Sequence, residues 1–238
     1  MPVSLVTDAF RDEAARLSAA LAEVSPAAFA RPSPCPPWTV ADLLWHVSTA
    51  AGRVSGMLAA PEPEAGPGQD LIEATGYYRP DQRFSAATNA DRVAVARRGA
   101  AGQSPADLLA GLDRAWRGAW AAAAAAPPGR RVRTRHGDLM LLTEFMRTRV
   151  LEVAVHGLDL AAGLDCPPWL TVPAAEVVAD LVLPAGPAGS GAAAAAALGQ
   201  RLSWDRATLV AKVTGRAALT PAERAAVAGQ GIRWLALG

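Results

Sequence analysis

The segment Arg149-Val-Leu-Glu-Val-Ala-Val-His156 lies within a helix that the sequence predicts from about Asp138 to Gly163. Glu152 and His156 are four residues apart and therefore share one face of that helix. The polar residues of the helix fall on one arc and comprise Glu144, Thr148, Arg149, Glu152, His156 and Asp159. Most of the remaining surface is apolar, so we expect the arc to face an internal cleft. The alternative is an amphipathic helix whose polar arc faces water.

A second segment, Trp38-Thr-Val-Ala-Asp-Leu-Leu-Trp-His46, supplies a further imidazole on an earlier helix. Thr39 as N-cap and Asp42 three residues later form a capping-box pattern, which predicts a helix start. Two His and one Glu form the ligand set of a catalytic divalent-metal centre with open positions. Spacing alone also allows an ordinary half-buried His46 and a solvated Glu152–His156 pair.

Helical periodicity and caps outline the rest of the chain. Further helices are predicted over about 5–24, 39–60, 86–100 and 105–126, with a Pro- and Gly-rich surface loop over 61–68. After Gly163 the pattern becomes mixed, and the segment from Arg206 to Gly215 fits a strand or a short helix. We therefore predict a mainly α, α+β chain: a four-helix bundle over 1–165 and a small mixed α/β domain over 166–238.

Composition excludes several classes of function. The chain has 51% hydrophobic residues, 19% charged residues and a formal net charge of +1, which gives no case for nucleic-acid binding. Dinucleotide, P-loop and nucleophile-elbow motifs are absent from the sequence. We find neither a signal-peptide pattern nor an apolar stretch of membrane-spanning length, and expect a cytoplasmic protein without membrane contact.

The two cysteines, Cys35 and Cys166, provide no disulfide framework. Each begins a Cys-Pro-Pro-Trp segment. Cys35 lies near a helix N-terminus, which lowers the pKa of a thiol and makes it a candidate nucleophile. Burial as an inert packing residue is the alternative.

The segment from Cys35 to His46 resembles the N-terminal motif of the mycothiol-dependent maleylpyruvate isomerase family, within the DinB-like metal-binding four-helix bundles. Glu152-Val-Ala-Val-His156-Gly-Leu-Asp159 is similar to the second motif of that family, and the tail around Thr214-Gly-Arg216 is similar as well. The resemblance implies that His46, Glu152 and His156 are the three metal ligands.

The resemblance also implies a divalent metal, with zinc favoured by the ligand set, and mycothiol as thiol cofactor or co-substrate. The expected chemistry is addition of a metal-activated thiolate to a small electrophilic substrate, ending in S-transfer or cis–trans isomerisation. Asp159 and Arg149 are candidate catalytic residues, Asp159 by orienting a ligand.

Other basic residues are candidates for binding the thiol or the substrate: Arg135 and His136 in a basic run before the metal helix, and Arg216 in the tail. A solvated loop is the alternative for the run from Arg130 to His136. Two further hypotheses remain open, a non-catalytic metal- or ligand-binding bundle and a structural or regulatory bundle. The sequence identifies neither the substrate nor the oligomeric state.

Overall fold

Four long helices pack into a bundle in the computed structural model, which describes residues 3–64, 66, 68–184 and 190–237. The bundle is formed by α1, α2, α5 and α6, each packed against two of the others. The helices run over α1 Val3–Ala22, α2 Val40–Ala59, α3 Ala74–Tyr77, α4 Ala86–Ala100, α5 Pro105–Ala125, α6 Leu142–Gly163, α7 Val172–Val182, α8 Gly191–Leu202, α9 Arg206–Val213 and α10 Pro221–Val227. The predicted mainly α, α+β class with an N-terminal four-helix bundle is confirmed.

The bundle helices begin where local chemistry favours a start. Thr39 and Asp42 form the predicted capping box at α2, and Ser104 and Asp107 form the corresponding box at α5. In both boxes, the hydroxyl of the N-cap residue accepts a hydrogen bond from the backbone amide three residues later. The carboxylate at that later position accepts a hydrogen bond from the backbone amide of the N-cap residue. These caps fix where α2 begins, and with it the position of His46.

The start near Asp138 that was predicted for the helix carrying Glu152 and His156 is wrong. Leu139–Leu141 form strand β2, which pairs antiparallel with β1, Arg131–Arg133. The intervening turn contains Gly137 at φ 87°, a left-handed conformation that glycine adopts at little cost. Part of the basic run predicted as a loop is therefore a strand, and α6 begins only at Leu142.

The residues after Gly163 form helices that pack on the bundle. Helix α7 contacts α1 and α6, and α8 and α9 pack against α7. Between 166 and 237, the described residues contain no strand; the two strands of the α+β fold lie earlier, in the β1–β2 hairpin. The segment from Arg206, predicted as strand or short helix, is α9, because the Asp205 side chain caps the amide of Thr208.

Helix α6 occupies the middle of the molecule, between α1, α2 and α7. Its polar residues are buried along with its apolar ones: Thr148 is 0% exposed, Arg149 1% and Asp159 2%. The polar arc therefore faces the protein interior and not bulk water. No helix within the described ranges has the length and apolar character to cross a membrane.

Helix α4 approaches α2 closely at one glycine. A Cβ on Gly99 would lie 2.0 Å from the Trp45 ring, a distance that no side chain tolerates. The missing side chain lets the Trp45 indole pack directly on the α4 backbone. Because Trp45 precedes His46, this contact lies one residue away from the candidate site.

A buried carboxyl group joins α1 to the start of α7. Glu13, 3% exposed, accepts hydrogen bonds at Oε2 from the Thr171 amide (2.8 Å) and hydroxyl (2.6 Å). Burial raises the pKa of Glu13 from 4.5 to about 7, and the bonds from Thr171 only partly oppose that shift.

Glu13 makes stability depend on pH. A carboxyl group whose pKa is raised by folding stabilises the protein fully below its ordinary 4.5, and this contribution is lost as pH rises through about 7. The lost contribution is on the order of 3 kcal/mol. We expect Glu13→Gln to flatten the decline of the free energy of unfolding across this window, as measured by urea denaturation. Glu23→Gln, at an exposed position just after α1, is the control and should behave as wild type. Equal declines in wild type and Glu13→Gln would contradict the prediction.

Candidate metal centre

Local contacts around Trp38 position His46 near the start of α2. The Cys35–Trp38 turn is closed by the Trp38 amide donating to the Cys35 carbonyl at 3.0 Å. The Trp38 indole then packs on the His46 imidazole with ring centroids 4.8 Å apart. The His46 side chain is 13% exposed, so the turn and the helix together fix the ring at the edge of a cavity.

Glu152 lies between two imidazoles. Its Oε2 is 3.7 Å from His46 Nε2 and 3.7 Å from His156 Nε2. One donor atom from each of these residues lies within 4.8 Å of the others. Two ligands bonded to one tetrahedral ion at about 2.1 Å are separated by roughly 3.4 Å. The two 3.7 Å separations are close to that value, and the structure brings together the three residues that the sequence analysis selected.

The protonation states suit metal binding. Burial is the main cause that lowers the pKa of His46 to about 4, and the nearby His156 lowers it further. Burial of Glu152 opposes its ionisation, but contacts with His46 and the charge of Arg149 outweigh burial and hold its pKa well below the ordinary value. A neutral imidazole and an ionised carboxylate are the forms that bind a metal.

Asp159 orients His156. The Asp159 carboxylate oxygen Oδ2 lies 2.9 Å from His156 Nδ1, one turn along α6. An ionised carboxylate accepts only, so Nδ1 donates to it and Nε2 is the ring nitrogen on the side of Glu152. Arg216 donates from Nε to Asp159 Oδ1 at 3.2 Å. Burial raises the pKa of Asp159, but His156 and Arg216 outweigh it and hold the pKa below its ordinary value.

Cys35 faces the same carboxylate but is a poor nucleophile. Its thiol donates to Asp159 Oδ2 at 3.3 Å. Burial, with the adjacent Asp159 charge, raises the pKa of Cys35 to about 12. The effect of a helix N-terminus, which favours the thiolate, is therefore overcome by desolvation and like charge. Cys35, His156 and Asp159 also form a second compact group of potential donors.

Arg149 lies beneath Glu152 and contacts α2. Its Nη1 donates to the Ala50 carbonyl at 3.1 Å and its Nε to the Thr148 hydroxyl at 3.1 Å. Its Nη2 lies 3.9 Å from Glu152 Oε1, beyond hydrogen-bond range, and has no hydrogen-bond partner among the described residues. Tyr78 donates from its phenol toward Glu152 Oε1 at 3.3 Å. Two side chains thus contact or approach the carboxylate oxygen that faces away from the imidazoles.

The donor atoms open onto a cavity of about 470 Å³. Arg135, His136 and Arg216 line it, as do the three candidate ligands. Sequence reasoning missed three other cavity-lining cations, Arg53 on α2, Arg83 shortly before α4 and Arg92 on α4. Arg53 is seven residues from His46, a spacing that places both on one helix face, so helical periodicity could have found it. Arg92 lies in no recognisable motif.

The fold and these donors define a class of protein, the helical bundle whose facing helices carry a possible metal site at the edge of a cavity. The family model of the mycothiol maleylpyruvate isomerase N-terminal domain matches residues 10–161. The chain belongs to this family, because the match covers more than half of its 238 residues.

Two solved structures share the fold. Both are crystal structures of mycothiol-dependent maleylpyruvate isomerase, one of them a histidine-to-alanine mutant, and each has 17% sequence identity to this chain and a TM-score of 0.53. The similarity covers 76% of this chain and 69% of each solved chain. A search of curated proteins found no match.

The environment of Cys35 predicts low reactivity. In a Cys166→Ser background, which leaves one cysteine, we expect iodoacetamide at pH 8 to alkylate Cys35 at least about tenfold more slowly than free N-acetylcysteine. Asp159→Asn should accelerate the reaction, because it removes a negative charge that raises the thiol pKa. Mass spectrometry of timed samples gives the rates. Alkylation of Cys35 as fast as that of the free thiol would show an activated cysteine instead.

Proposed function

We propose that this chain is a mycothiol-dependent metalloenzyme that adds a small-molecule thiol to an electrophilic carbon of a small substrate. The observation that carries the proposal is the position of Glu152 Oε2, 3.7 Å from the Nε2 atoms of both His46 and His156. Family membership supports the thiol, since the family model is named for mycothiol.

His46, Glu152 and His156 would hold the metal, which we propose to be zinc. A bound divalent ion supplies the positive charge that keeps a thiol ionised as thiolate at neutral pH. Three protein donors leave coordination positions open, as a catalytic centre requires and a structural zinc site does not. The cavity beside the donors gives room for both reactants.

The residues around the three donors orient them and keep the carboxylate ionised. Asp159 fixes the tautomer of His156, and Arg216 holds Asp159 in place. The contact with His46 and the charge of Arg149 keep Glu152 ionised. Cys35 does not supply the thiolate, because its pKa of about 12 leaves it protonated at neutral pH. These contacts support an external thiol as the nucleophile.

Two outcomes of the addition are included in the proposal. Release of the thiol after bond rotation gives cis–trans isomerisation, and retention of the adduct gives S-transfer. Arg135, His136 and Arg216 are proposed to contact the thiol or the substrate, since all three line the cavity. We also propose a cytoplasmic location and a division into a metal-binding unit, 1–165, and a smaller unit, 166–238; the family match ending at residue 161 supports that boundary.

Metal analysis tests the proposal directly. Protein purified without chelator should contain about one equivalent of divalent metal per chain, as measured by inductively coupled plasma mass spectrometry. His46→Ala and Glu152→Gln should each lower the content below about a tenth of an equivalent, because two donors hold an ion far less tightly than three. His136→Ala is the matched control, since it removes the remaining histidine of the chain without touching the three donors. Wild type with less than about a tenth of an equivalent, even after incubation with zinc, would overturn the proposal.

Asp159→Asn should weaken metal binding without abolishing it. Loss of the carboxylate that orients a ligating histidine typically costs about 10–100-fold in affinity. Competition with a chromophoric chelator measures the affinity. An unchanged affinity would show that Asp159 has no influence on the ligand.

Turnover separates the two outcomes. With maleylpyruvate and mycothiol, isomerisation changes the geometry of the substrate while the free-thiol concentration stays constant. S-transfer consumes one thiol for each product molecule. Nuclear magnetic resonance measures the geometry of the substrate, and titration measures the concentration of free thiol. Metal binding without either change would favour a non-catalytic binding protein.

A further inference from the structure

We propose that the segment 232–237, here called the strap, is a movable wall of the cavity, anchored to α7 at Arg233 and released at Ala236 and Leu237 to let a ligand pass. The inference goes beyond the proposed function, because it concerns entry to the cavity and holds with or without a bound metal. Leu237 places the strap at the site, since it lines the cavity together with the three candidate donors.

The candidate donors are poorly accessible from outside. The side chains of His46, Glu152 and His156 are 13%, 18% and 11% exposed. A ligand larger than a few atoms has to pass residues of the cavity wall to reach them. A wall segment that opens would provide the route.

The base of the strap is fixed to α7. The Arg233 amide donates to the Val182 carbonyl at 2.7 Å, and Arg233 Nη1 donates to the Leu181 carbonyl at 3.4 Å. Gly231, at φ 66°, lies so close to Pro184 that a Cβ there would be 3.1 Å from the proline ring. Glycine adopts this left-handed conformation at little cost and permits the close approach. The base is therefore a fixed point from which the tip can move.

The tip of the strap is held by two long hydrogen bonds. The Ala236 amide donates to the Tyr78 carbonyl at 3.3 Å, and Arg216 Nη1 donates to the Leu237 carbonyl at 3.5 Å. Both distances exceed the usual N–H···O range, so the bonds are weak. Arg216 also pairs with Asp159 at 3.2 Å and keeps that partner when the tip leaves. Release of the tip thus breaks two weak bonds and leaves no buried charge unpaired.

The packing of the strap also allows it to move. None of residues 232–237 is buried, and Trp234 is 58% exposed. The strap belongs to no helix or strand, so its backbone is not supported by a regular ladder of hydrogen bonds. Few buried side chains and few backbone hydrogen bonds are features of segments that open locally while the rest of the protein stays folded.

Other walls of the cavity are held more firmly. The Cys35–Trp38 turn is closed by the Trp38 amide donating to the Cys35 carbonyl at 3.0 Å. Arg83, before α4, pairs with Asp138 at 3.1 Å, and both side chains are at most 12% exposed. The lining residues on α2 and α6 belong to the bundle itself. Compared with these walls, the strap has the weakest attachments.

Amide hydrogen exchange of the full chain, followed by nuclear magnetic resonance, tests whether the tip moves. After correction for intrinsic rates, we expect the Ala236 amide to exchange at least about tenfold faster than the Arg233 amide, since only the tip opens. Equal or greater protection of Ala236 would show a static wall and overturn the proposal.

Cys35 tests whether the moving tip is the entrance, because this cysteine lines the cavity. In a Cys166→Ser background, we expect Ala236→Pro to accelerate alkylation of Cys35 by a bulky maleimide dye at least about tenfold, because proline has no amide to donate to Tyr78. The rate with the smaller iodoacetamide should rise less. Trp234→Ala changes an exposed side chain of the same segment, so it should leave both rates within about twofold of the parent.

Cys166 separates opening of the cavity from loosening of the fold. It is not one of the described residues that line the cavity. In a Cys35→Ser background, Ala236→Pro should therefore change the alkylation rate of Cys166 less than about twofold. Circular dichroism confirms that each variant is folded. Equal acceleration at both cysteines, or an unchanged rate at Cys35, would overturn the proposal.

Neither measurement depends on a bound metal, so metal content measured in the same samples separates this proposal from the preceding one. Fast exchange of the Ala236 amide together with faster labelling of Cys35 in Ala236→Pro would uphold the strap even where the metalloenzyme fails. Metal-containing protein that shows neither effect would overturn this proposal alone.

Discussion

Charged groups buried along one face of α6 are the constraint on which the rest of the structure depends. Arg149 and Asp159 are at most 2% exposed, and a buried charge without partners costs several kcal/mol, on the order of the entire stability of a domain. Partners therefore have to come from other elements: the Ala50 carbonyl from α2 for Arg149, and Arg216 from the segment after α9 for Asp159. The contacts of these buried charges therefore fix α2 and the segment after α9 against α6.

This dependence explains why the C-terminal segment reaches the centre of the molecule. Arg216 is 57 residues from Asp159 in sequence, yet it contacts the carboxylate that orients His156. The contact links the packing of the last helices to the orientation of one imidazole ring. The family match ends at residue 161 and so does not include this contact.

Features that depend on neighbours in sequence could be predicted from the sequence. The capping box at Thr39 forms as predicted, because it involves residues only three positions apart. The pairing of Glu152 with His156 follows from helical spacing in the same way. These local rules located helix starts and the Glu152–His156 pair, whereas the choice of His46 as the third candidate donor came from the family resemblance.

Features that depend on distant segments could not be predicted. The start of α6 was predicted too early because residues 139–141 pair with β1 as strand β2 instead of joining the helix. Helix propensity is a property of the local sequence and takes no account of a pairing strand. The raised pKa of the Cys35 thiol depends on burial and on Asp159, 124 residues away. The concentration of arginines around the cavity was invisible in the net charge, since they come from segments far apart in sequence.

Gly99 gives the packing of α4 on α2 a consequence for the shape of the cavity. The absence of a side chain there lets Trp45 rest on the α4 backbone, and so sets how far α4, which carries Arg92, stands from α2, which carries Arg53. Any larger residue would force Trp45 to turn or α4 to retreat, and the width of the cavity would change with it. In related chains, the space open to a ligand would thus be tuned by a residue that lies outside the cavity lining.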